Sequence, residues 1–476
     1  MCSSEPGRAA LLRGLRVARH AADRQVGPTK FMDRAGVRET GRLDQTFTPL
    51  ALLASCLFVI FTAQLHASDR LTLTEAHAIA LRTHPRVAGA DLRSQAARQA
   101  VTQAKAAEFP TLNANFTAIG TADAANTRIG AAGTFSASQA YDRASVGLNA
   151  THLLTDFGRT ASQVEVARQK SISEDSFVRT YQRQVELQVT VAYFATLQAQ
   201  SVLGVAKQTV ATRQIVLNQV SALASNQLKS ELDVSFARVN VEEARLLVVR
   251  AESELNSGFT ELSIHLGERT PRRYELVEES LPAELAEPVE KLVADALRER
   301  PRLIRLRADA AAAAAQARAD HALNYPTVSA IGAVGLMPVR DRRLQDNYAA
   351  GGLVVNLPLF NGGRDTAKQR ESELKARAAE ELVRDEENNI IRDVRLAYLK
   401  VQHAQERLGL TAKLLAFART AHDLANARYK LGASNIAELS QAQLNLTSAE
   451  IAEATAKYEL LLQRAVLDFH RGIRTP

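Results

Sequence analysis

The two halves of this chain carry the same residues at a constant spacing, which marks an internal duplication. Near the start of each half identical residues lie 216 positions apart, and further along they lie 205 positions apart. The matched pairs include Ala78/Ala294, Leu81/Leu297, Pro85/Pro301, Pro110/Pro326, Gly158/Gly363, Tyr193/Tyr398 and Asn240/Asn445. Each repeat is far longer than a solenoid unit. The sequence therefore predicts one scaffold present twice, with the length difference absorbed by a surface loop between residues 111 and 158.

The first 67 residues form a leader segment. Residues 49–63 are an apolar run, preceded by scattered arginines and too short to span a bilayer comfortably. This pattern predicts a secretory signal cleaved after Ala67, with Met32 as an alternative start that would give a leader of more ordinary length.

Both cysteines, Cys2 and Cys56, lie in the leader, so the mature protein would contain no disulfide and no thiol nucleophile. Residues 53–56 resemble a lipoprotein cleavage box, which makes Cys56 a candidate for lipidation. Against lipidation, residues 57–61 stay apolar, where the mature start of a lipoprotein is usually polar.

Part of the excess of basic over acidic residues in this chain lies in the leader. The formal net charge is +7, and residues 1–67 hold nine Lys or Arg against five Asp or Glu. Subtracting them from totals of 59 and 52 leaves 50 basic and 47 acidic residues, which argues against nucleic acid as a partner. The ten histidines lack the i, i+4 spacing of a helical metal site, and the sequence has no phosphate loop or nucleophile elbow. We therefore expect no enzyme activity, no metal and no cofactor.

Each half contains two short segments with strand periodicity. In the first half, residues 112–118 and 146–151 alternate apolar side chains with polar or small ones, as in a strand with one apolar face. The equivalent segments of the second half are 327–336, where the alternation is weak, and 350–359, where Pro358 would lie at the strand's end.

Long helices flank these strands. Residues 159–227 contain no proline and no turn cluster, which predicts a helix on the order of 100 Å long. A second helix is predicted over 232–266, and the same succession follows Arg364. A short hairpin on such helices cannot close its own sheet, so oligomerisation is the economical way to remove the strand edges.

Several motifs resemble the TolC-like outer-membrane efflux family, and the resemblance extends over essentially all of the chain after the leader. The motifs are LTLTEA (71–76) with His84 and Pro85, EFPT (108–111), LLTDFGR (153–159) with its partner PLFNGGR (358–364), ELDV (231–234) and ARYKLGASNI (427–436). Each motif is weak alone, but their order and duplicated spacing are specific.

The resemblance implies a mixed fold, in which a long α-helical coiled-coil tunnel continues a transmembrane β-barrel shared by a homotrimer, with four strands per protomer. It places the barrel in the lipid of the outer membrane and the tunnel in the periplasm. It also implies two partners, a periplasmic adaptor (membrane fusion) protein and an inner-membrane transporter, in a system that exports small molecules. The predicted organisation is a first repeat at 68–267, a linker at 268–288 and a second repeat at 289–476.

The resemblance also implies a gate at the tunnel tip, where the predicted turns are residues 226–230 and 431–435. Asp233 and Tyr429 match positions of gate contacts between helices, and Glu438 matches a position that lines the constriction. The alternative role of Asp233 is a negative charge at a helix N-terminus. Ser434 stands where the family has a gate arginine and Gln441 where it has a second acidic residue. A weaker gate and a gate held by hydrogen bonds are therefore both open alternatives to a salt-bridged one.

Two further groups of residues are candidates for contacts outside the protomer. By resemblance, Leu228, Leu431 and Gly432 form the tip that docks on the adaptor. Phe157 and Phe360 are candidates for aromatic anchors at the membrane interface, with ordinary packing between barrel and tunnel as the alternative.

Three functions remain open at this point. The first is an exit duct for small-molecule efflux, and the second is the outer-membrane component of type I protein secretion. The third is a periplasmic coiled-coil adaptor or structural protein, against which stand the four strand segments and the lack of a lipoyl-like segment between helices.

Overall fold

The computed structural model describes residues 70–119, 128–130, 137–139, 143–339 and 345–473. The chain divides into two units, residues 1–67 and residues 68–476. The predicted leader, with Cys56, lies outside the described residues, and the fold given below is that of the second unit.

Helices and strands of the described part are numbered along the chain. The helices are α1 (Leu73–Thr83), α2 (Pro85–Ala106), α3 (Arg159–Ser225), α4 (Glu231–His265), α5 (Val289–Glu299), α6 (Pro301–His321), α7 (Arg364–Lys430) and α8 (Ile436–Arg471). The strands are β1 (Arg70–Leu71), β2 (Thr111–Ile119), β3 (Arg128–Gly130), β4 (Ala137–Gln139), β5 (Arg143–Thr155), β6 (Glu275–Leu276), β7 (Thr327–Val339) and β8 (Asn347–Asn356).

The same succession of elements occurs twice, as the internal duplication predicts. The first copy runs through α1, α2, β2, β5, α3 and α4, and the second runs through α5, α6, β7, β8, α7 and α8. The long helices α3 and α7 each contain 67 residues, so each is about 100 Å long. The predicted long helices are confirmed, with ends that differ by one or two residues from the expected ones. The repeat and linker boundaries at 68–267, 268–288 and 289–476 stay predictions.

Prolines mark where several elements begin. Pro85 and Pro301 occupy the first position of α2 and α6, where a backbone N–H has no partner inside the helix. Pro110 and Pro326 directly precede β2 and β7, in keeping with their missing amide hydrogens.

Helix α3 is apolar enough over part of its length to cross a membrane by length and composition alone, and it is the one described helix that meets this test. Its neighbours in the protomer account for that composition. It packs against α2, α4, α6 and α8, and Val185, Val189, Tyr193 and Leu197 lie in a buried core with residues of α1, α4 and α8. The apolar stretch of α3 is thus a packing surface.

Four strands form an antiparallel sheet in the order β2, β5, β7, β8. One row of its register joins Asn115, Gly147, Gly335 and Tyr348. The last strand begins three residues before the predicted segment 350–359 and ends at Asn356, because Pro358 has no amide hydrogen for a strand ladder.

The two faces of this sheet differ in chemistry. One face presents large apolar side chains to solvent, among them Leu112, Phe116, Val146, Leu148, Val334, Leu336, Leu353 and Val355. The other face is mostly polar or small and includes Asn113, Asn115, Asn149, Thr151 and Ser329. On this second face Asn115 Nδ2 donates a hydrogen bond of 2.8 Å to Asn149 Oδ1.

A second, two-stranded sheet lies beside the long helices. β1 and β6 pair in parallel, and the fully buried Tyr193 of α3 fixes them to the helices. The Tyr193 hydroxyl lies 2.8 Å from the Leu71 carbonyl oxygen and accepts a hydrogen bond of 3.0 Å from Val277 N. Burial is the main reason that the pKa of Tyr193 rises to about 12.

Candidate functional site at the helical tip

The predicted tip is the end of the unit where α3 turns into α4 and α7 turns into α8. The turns occupy residues 226–230 and 431–435, as predicted. A small apolar core holds the four helix ends together and consists of Val220, Val234, Ala237, Ala425, Tyr429, Ile436, Leu439 and Ala442. The tip is therefore a packed structure within one protomer.

The two turns have the same backbone hydrogen bonds. In the first turn Gln227 N donates to Ala224 O and Leu228 N donates to Leu223 O, both at 2.9 Å. In the second turn Gly432 and Ala433 make the equivalent bonds, of 3.1 and 2.9 Å, to Tyr429 and Arg428. This pattern needs a left-handed residue after the helix, and the φ angles are +59° at Gln227 and +73° at Gly432. Gln227 thus adopts a conformation that favours glycine.

Asp233 caps the start of α4. Its backbone N–H donates to Ser230 Oγ at 3.2 Å, and its carboxylate accepts from Ser230 N at 3.2 Å and from Ser230 Oγ at 3.1 Å. This reciprocal arrangement is a capping box, which satisfies donors that the helix leaves unpaired. The helix-start role of Asp233 is thus present in the protomer.

The structure also brings Asp233 close to Tyr429. The Tyr429 ring is 5% exposed, and its hydroxyl is buried with no hydrogen-bond partner in the described part of the chain. Burial, and after it the negative charge of Asp233, raises the pKa of Tyr429. Lys229 Nζ lies 4.7 Å from the centre of the ring, on which it makes a cation–π contact. Tyr429 therefore combines a buried hydroxyl that has no partner in the described residues with an ammonium group over its ring.

Glu438 lies in the first turn of α8, where its N–H donates to Asn435 Oδ1 at 2.9 Å. Its carboxylate is 3.7 Å from Arg428 Nε, and both side chains are largely exposed. Sequence reasoning missed Arg428, although it directly precedes Tyr429 and lies ten residues before Glu438, across a turn of known length. The guanidinium group of Arg428 also donates a hydrogen bond of 3.4 Å from Nη2 to the carbonyl oxygen of Ala433, the residue before Ser434.

Within the described residues, no hydrogen bond or ion pair joins the other two candidate gate residues to these charged groups. Ser434 Oγ is buried without a hydrogen-bond partner in the described residues. Gln441 is exposed one turn further along α8, and its Nε2 donates to Asn445 Oδ1 at 3.0 Å. Both remain predicted gate residues.

The predicted docking residues are open to solvent. Leu228 is 68% exposed and Leu431 is 84% exposed, and Gly432 lies beside Leu431 at the surface. The two leucines leave apolar surface exposed at the turns, and their docking role stays a prediction.

The two predicted interface aromatics lie far from the tip, where the sheet meets the long helices. Phe157 lies between β5 and α3, and Phe360 between β8 and α7. Phe360 is 91% exposed, whereas Phe157 is 55% exposed and its ring centre lies 5.7 Å from that of Tyr325. Phe157 therefore takes part in local packing, and Phe360 does not.

The described residues contain no group of three or more His, Cys, Asp and Glu side chains placed to hold a metal ion. The chemistry of the tip is that of charges, hydroxyls and apolar contacts.

In each repeat a pair of strands is followed by two long helices. The strands form a sheet with an exposed apolar face, and the helices end in a charged turn. This arrangement is typical of an outer-membrane channel protein. A model of the family described as outer membrane efflux protein matches residues 78–268 and 292–472, one range in each repeat. The chain belongs to this family, and it is an outer-membrane protein.

Curated relatives agree with this assignment at low identity. The chain is 21% identical to the outer membrane protein TolC of Escherichia coli over 304 residues, which is 61% of this chain and 62% of that protein. It is 25% identical to the toluene efflux pump outer membrane protein TtgC of Pseudomonas putida over 314 residues, 64% of each. It is 24% identical to the cation efflux system protein CusC of Escherichia coli over 317 residues, 63% of this chain and 67% of that one. The chain thus spans less than two thirds of the length of the first two relatives.

Solved structures share the fold. The outer membrane protein VceC of Vibrio cholerae superposes with a TM-score of 0.72 at 18% identity, over 84% of this chain and 96% of that one. The MtrE outer membrane channel of Neisseria gonorrhoeae, solved in an open state, gives 0.69 at 22% identity, over 84% and 89%. The fold of long helices and sheet is therefore that of outer-membrane channels. Family membership favours this class over a periplasmic coiled-coil adaptor.

Proposed function

We propose that this protein is the trimeric exit duct of a tripartite efflux system that exports small molecules. The observation that carries the proposal is the open sheet of β2, β5, β7 and β8, which exposes one apolar face. In lipid, each unpaired N–H and C=O of a sheet edge costs several kcal/mol. Pairing β2 of one protomer with β8 of the next removes both edges, and three protomers close a barrel of twelve strands.

The helices support the same arrangement. α3 packs against α4 and α8, and α8 packs against α7, so that α4 and α7 lie at opposite edges of the layer. Both edges carry exposed apolar side chains spaced by combinations of three and four residues. The α4 stripe is Leu232, Phe236, Val239, Leu246 and Val249, and the α7 stripe is Leu396, Leu399, Leu410, Leu414, Phe417 and Leu424. A head-to-tail trimer buries the α4 stripe of one protomer against the α7 stripe of its neighbour.

The tip then acts as the gate. In a trimer the turns of three protomers meet around one axis, with three copies of Glu438 at the narrowest level. Three carboxylates in a narrow ring favour cations. Asp233 and Tyr429 form contacts between neighbouring helices that hold the tip closed. The exposed leucines at 228 and 431, with Gly432, dock on a periplasmic adaptor, which connects the duct to an inner-membrane transporter.

The names of the relatives support small molecules as the exported class. One is named a toluene efflux pump protein, another a cation efflux protein and a third an antibiotic efflux pump protein. A wide passive duct leaves the choice of substrate to its pump, which accounts for such different cargoes on one fold. The remaining parts of the proposal are the cleaved leader at 1–67 and the interface position of Phe157 and Phe360.

The first experiment is the native mass of the mature protein after detergent extraction from the outer-membrane fraction. We expect a trimer. A monomer that is soluble without detergent would contradict the shared barrel.

The export role is tested separately in cells that lack the gene. We expect a membrane-permeant dye to accumulate in these cells and the wild-type gene to restore its export. Normal dye export combined with the loss of a secreted protein would instead favour the duct of a type I secretion system.

A further inference from the structure

Tyr348 lies flat on the sheet over two glycines. In the register of the sheet, Tyr348 of β8 is opposite Gly335 of β7, which is opposite Gly147 of β5. A Cβ atom added at Gly335 would lie 2.5 Å from Tyr348 Cζ and 2.6 Å from an ortho carbon of the phenol ring, and one added at Gly147 would lie 3.1 Å from Cζ. Real Cβ atoms do not approach other atoms below 3.0 Å. The ring therefore occupies the space that side chains on the two inner strands would fill.

This ring lies on the polar face of the sheet. Gly147 is two residues from Asn149 on β5, and its partner on β2 is Asn115, so all of them share one face. The opposite face presents most of the exposed apolar side chains of the sheet, including Phe116. In a barrel whose apolar face contacts lipid, the face with Tyr348 lines the lumen.

We propose that Gly147 and Gly335 form a seat that recesses Tyr348 into the wall and so sets the bore of the duct at this level. The inference rests on the proposed function, because only a closed barrel has a bore. A tyrosine that stands away from a strand extends several ångströms from it, and a trimer has three of them at one level. With the glycine seat the three rings lie against the wall and the passage stays wide. Without the seat they point into it.

The decisive variant is Gly335→Ala. A methyl group there meets only the Tyr348 side chain at its three closest contacts, whereas at Gly147 it would also come within 2.8 Å of the Val334 carbonyl oxygen. The matched control is Gly352→Ala, because Gly352 lies on the same face in β8 and an added Cβ there has no atom within 4 Å. Both variants replace a strand glycine, but only the first displaces the ring.

The bore is measured by cysteine labelling from outside intact cells, with membrane-impermeant maleimides that carry polymers of increasing size. Both natural cysteines lie in residues 1–67, so single reporters can be added to the barrel. Along β2, Asn113→Cys lies two residues on the helix side of the register row that contains Tyr348, and Thr117→Cys lies two residues on the side away from the helices. A reagent from outside must pass Tyr348 to reach position 113 but not to reach position 117.

We expect Gly335→Ala to abolish labelling of Asn113→Cys by the largest polymers that reach it in the parent protein. Labelling of Thr117→Cys should stay unchanged, and Gly352→Ala should behave as the parent. Adding Tyr348→Ala to Gly335→Ala should restore access, because the displaced ring is then gone. Equal access to position 113 in the parent and in Gly335→Ala would overturn the inference.

Two further outcomes are informative. If even the smallest reagent fails to reach Asn113→Cys in the parent, the lumen itself is absent and the proposed function fails. If Gly335→Ala does not assemble but Gly335→Ala/Tyr348→Ala does, the glycine serves assembly instead of bore width, and the inference is wrong.

Discussion

Asp233 combines two roles, and a substitution of Asp233 alone would remove both at once. Its carboxylate accepts two hydrogen bonds from Ser230 in a capping box, and its charge acts on the buried hydroxyl of Tyr429. The protomer by itself accounts for the first role. The proposed gate depends on the second.

Ser230→Ala separates the two roles, because it weakens the same cap and keeps the carboxylate. Loss of such a cap costs about 1 kcal/mol at a helix start. We expect Asp233→Ala to raise the closed-state conductance of single channels in planar bilayers, and Ser230→Ala to leave it near the wild-type value. Equal increases in the two variants would reduce Asp233 to a capping residue.

For single residues, the sequence predicted where a residue lies in the fold better than which side chains it contacts. The resemblance singled out Asp233, Tyr429 and Glu438, and all three lie at the tip. The ion pair between Arg428 and Glu438 was not predicted, because it forms across a turn that joins two helices. The contact of Tyr348 with two strands was missed for a similar reason. It depends on the register of three strands, and period-two alternation gives the face of a residue but not its neighbour.

At the scale of whole elements the sequence predicted the long helices and the four strands of the larger sheet, but not the short strands β1, β3, β4 and β6. The long helices follow from segments without proline, and the four strands of the sheet follow from alternation and from Pro110 and Pro326. Helix caps and turns are local, so a single sequence contains the information that sets them. A single sequence does not show what covers the edges of the sheet and of the helix layer, because in the proposed trimer these edges pair with another copy of the chain.

The turn between α3 and α4 provides a prediction at this scale. Gln227 has the left-handed φ angle that Gly432 has in the equivalent turn. A residue with a Cβ loses roughly 1 kcal/mol in that conformation. We expect Gln227→Gly to stabilise the first turn and Gly432→Gln to destabilise the second by a similar amount.

Hydrogen exchange of tip peptides, followed by mass spectrometry, measures both effects, since local opening exposes the turn amides. Slower exchange near residue 228 in Gln227→Gly and faster exchange near residue 433 in Gly432→Gln are the expected results. Unchanged exchange in both variants would mean that packing of the tip, and not turn geometry, limits opening.

For the molecule as a whole, the arrangement of edges determines how copies assemble. The sheet ends in β2 and β8 and the helix layer ends in α4 and α7, so each protomer has two different surfaces to cover. Different surfaces at opposite edges favour a head-to-tail ring over a two-fold dimer, in which one surface pairs with itself. The internal duplication fits this geometry. Each protomer contributes two similar halves, so a trimer would place six similar units around its axis.

The α7 stripe tests this assembly. A charge placed in a surface that becomes buried between protomers costs several kcal/mol, and a closed trimer contains three copies of it. We therefore expect Leu414→Glu/Phe417→Glu to prevent formation of the trimer, as measured by native mass in detergent. Ala416→Glu is the matched control, because Ala416 is also exposed but points about 100° away from Phe417 around the helix. The control should remain trimeric. A trimer that persists in the double variant would mean that the α7 stripe faces solvent, and the helical tunnel would then need a different packing from the one proposed.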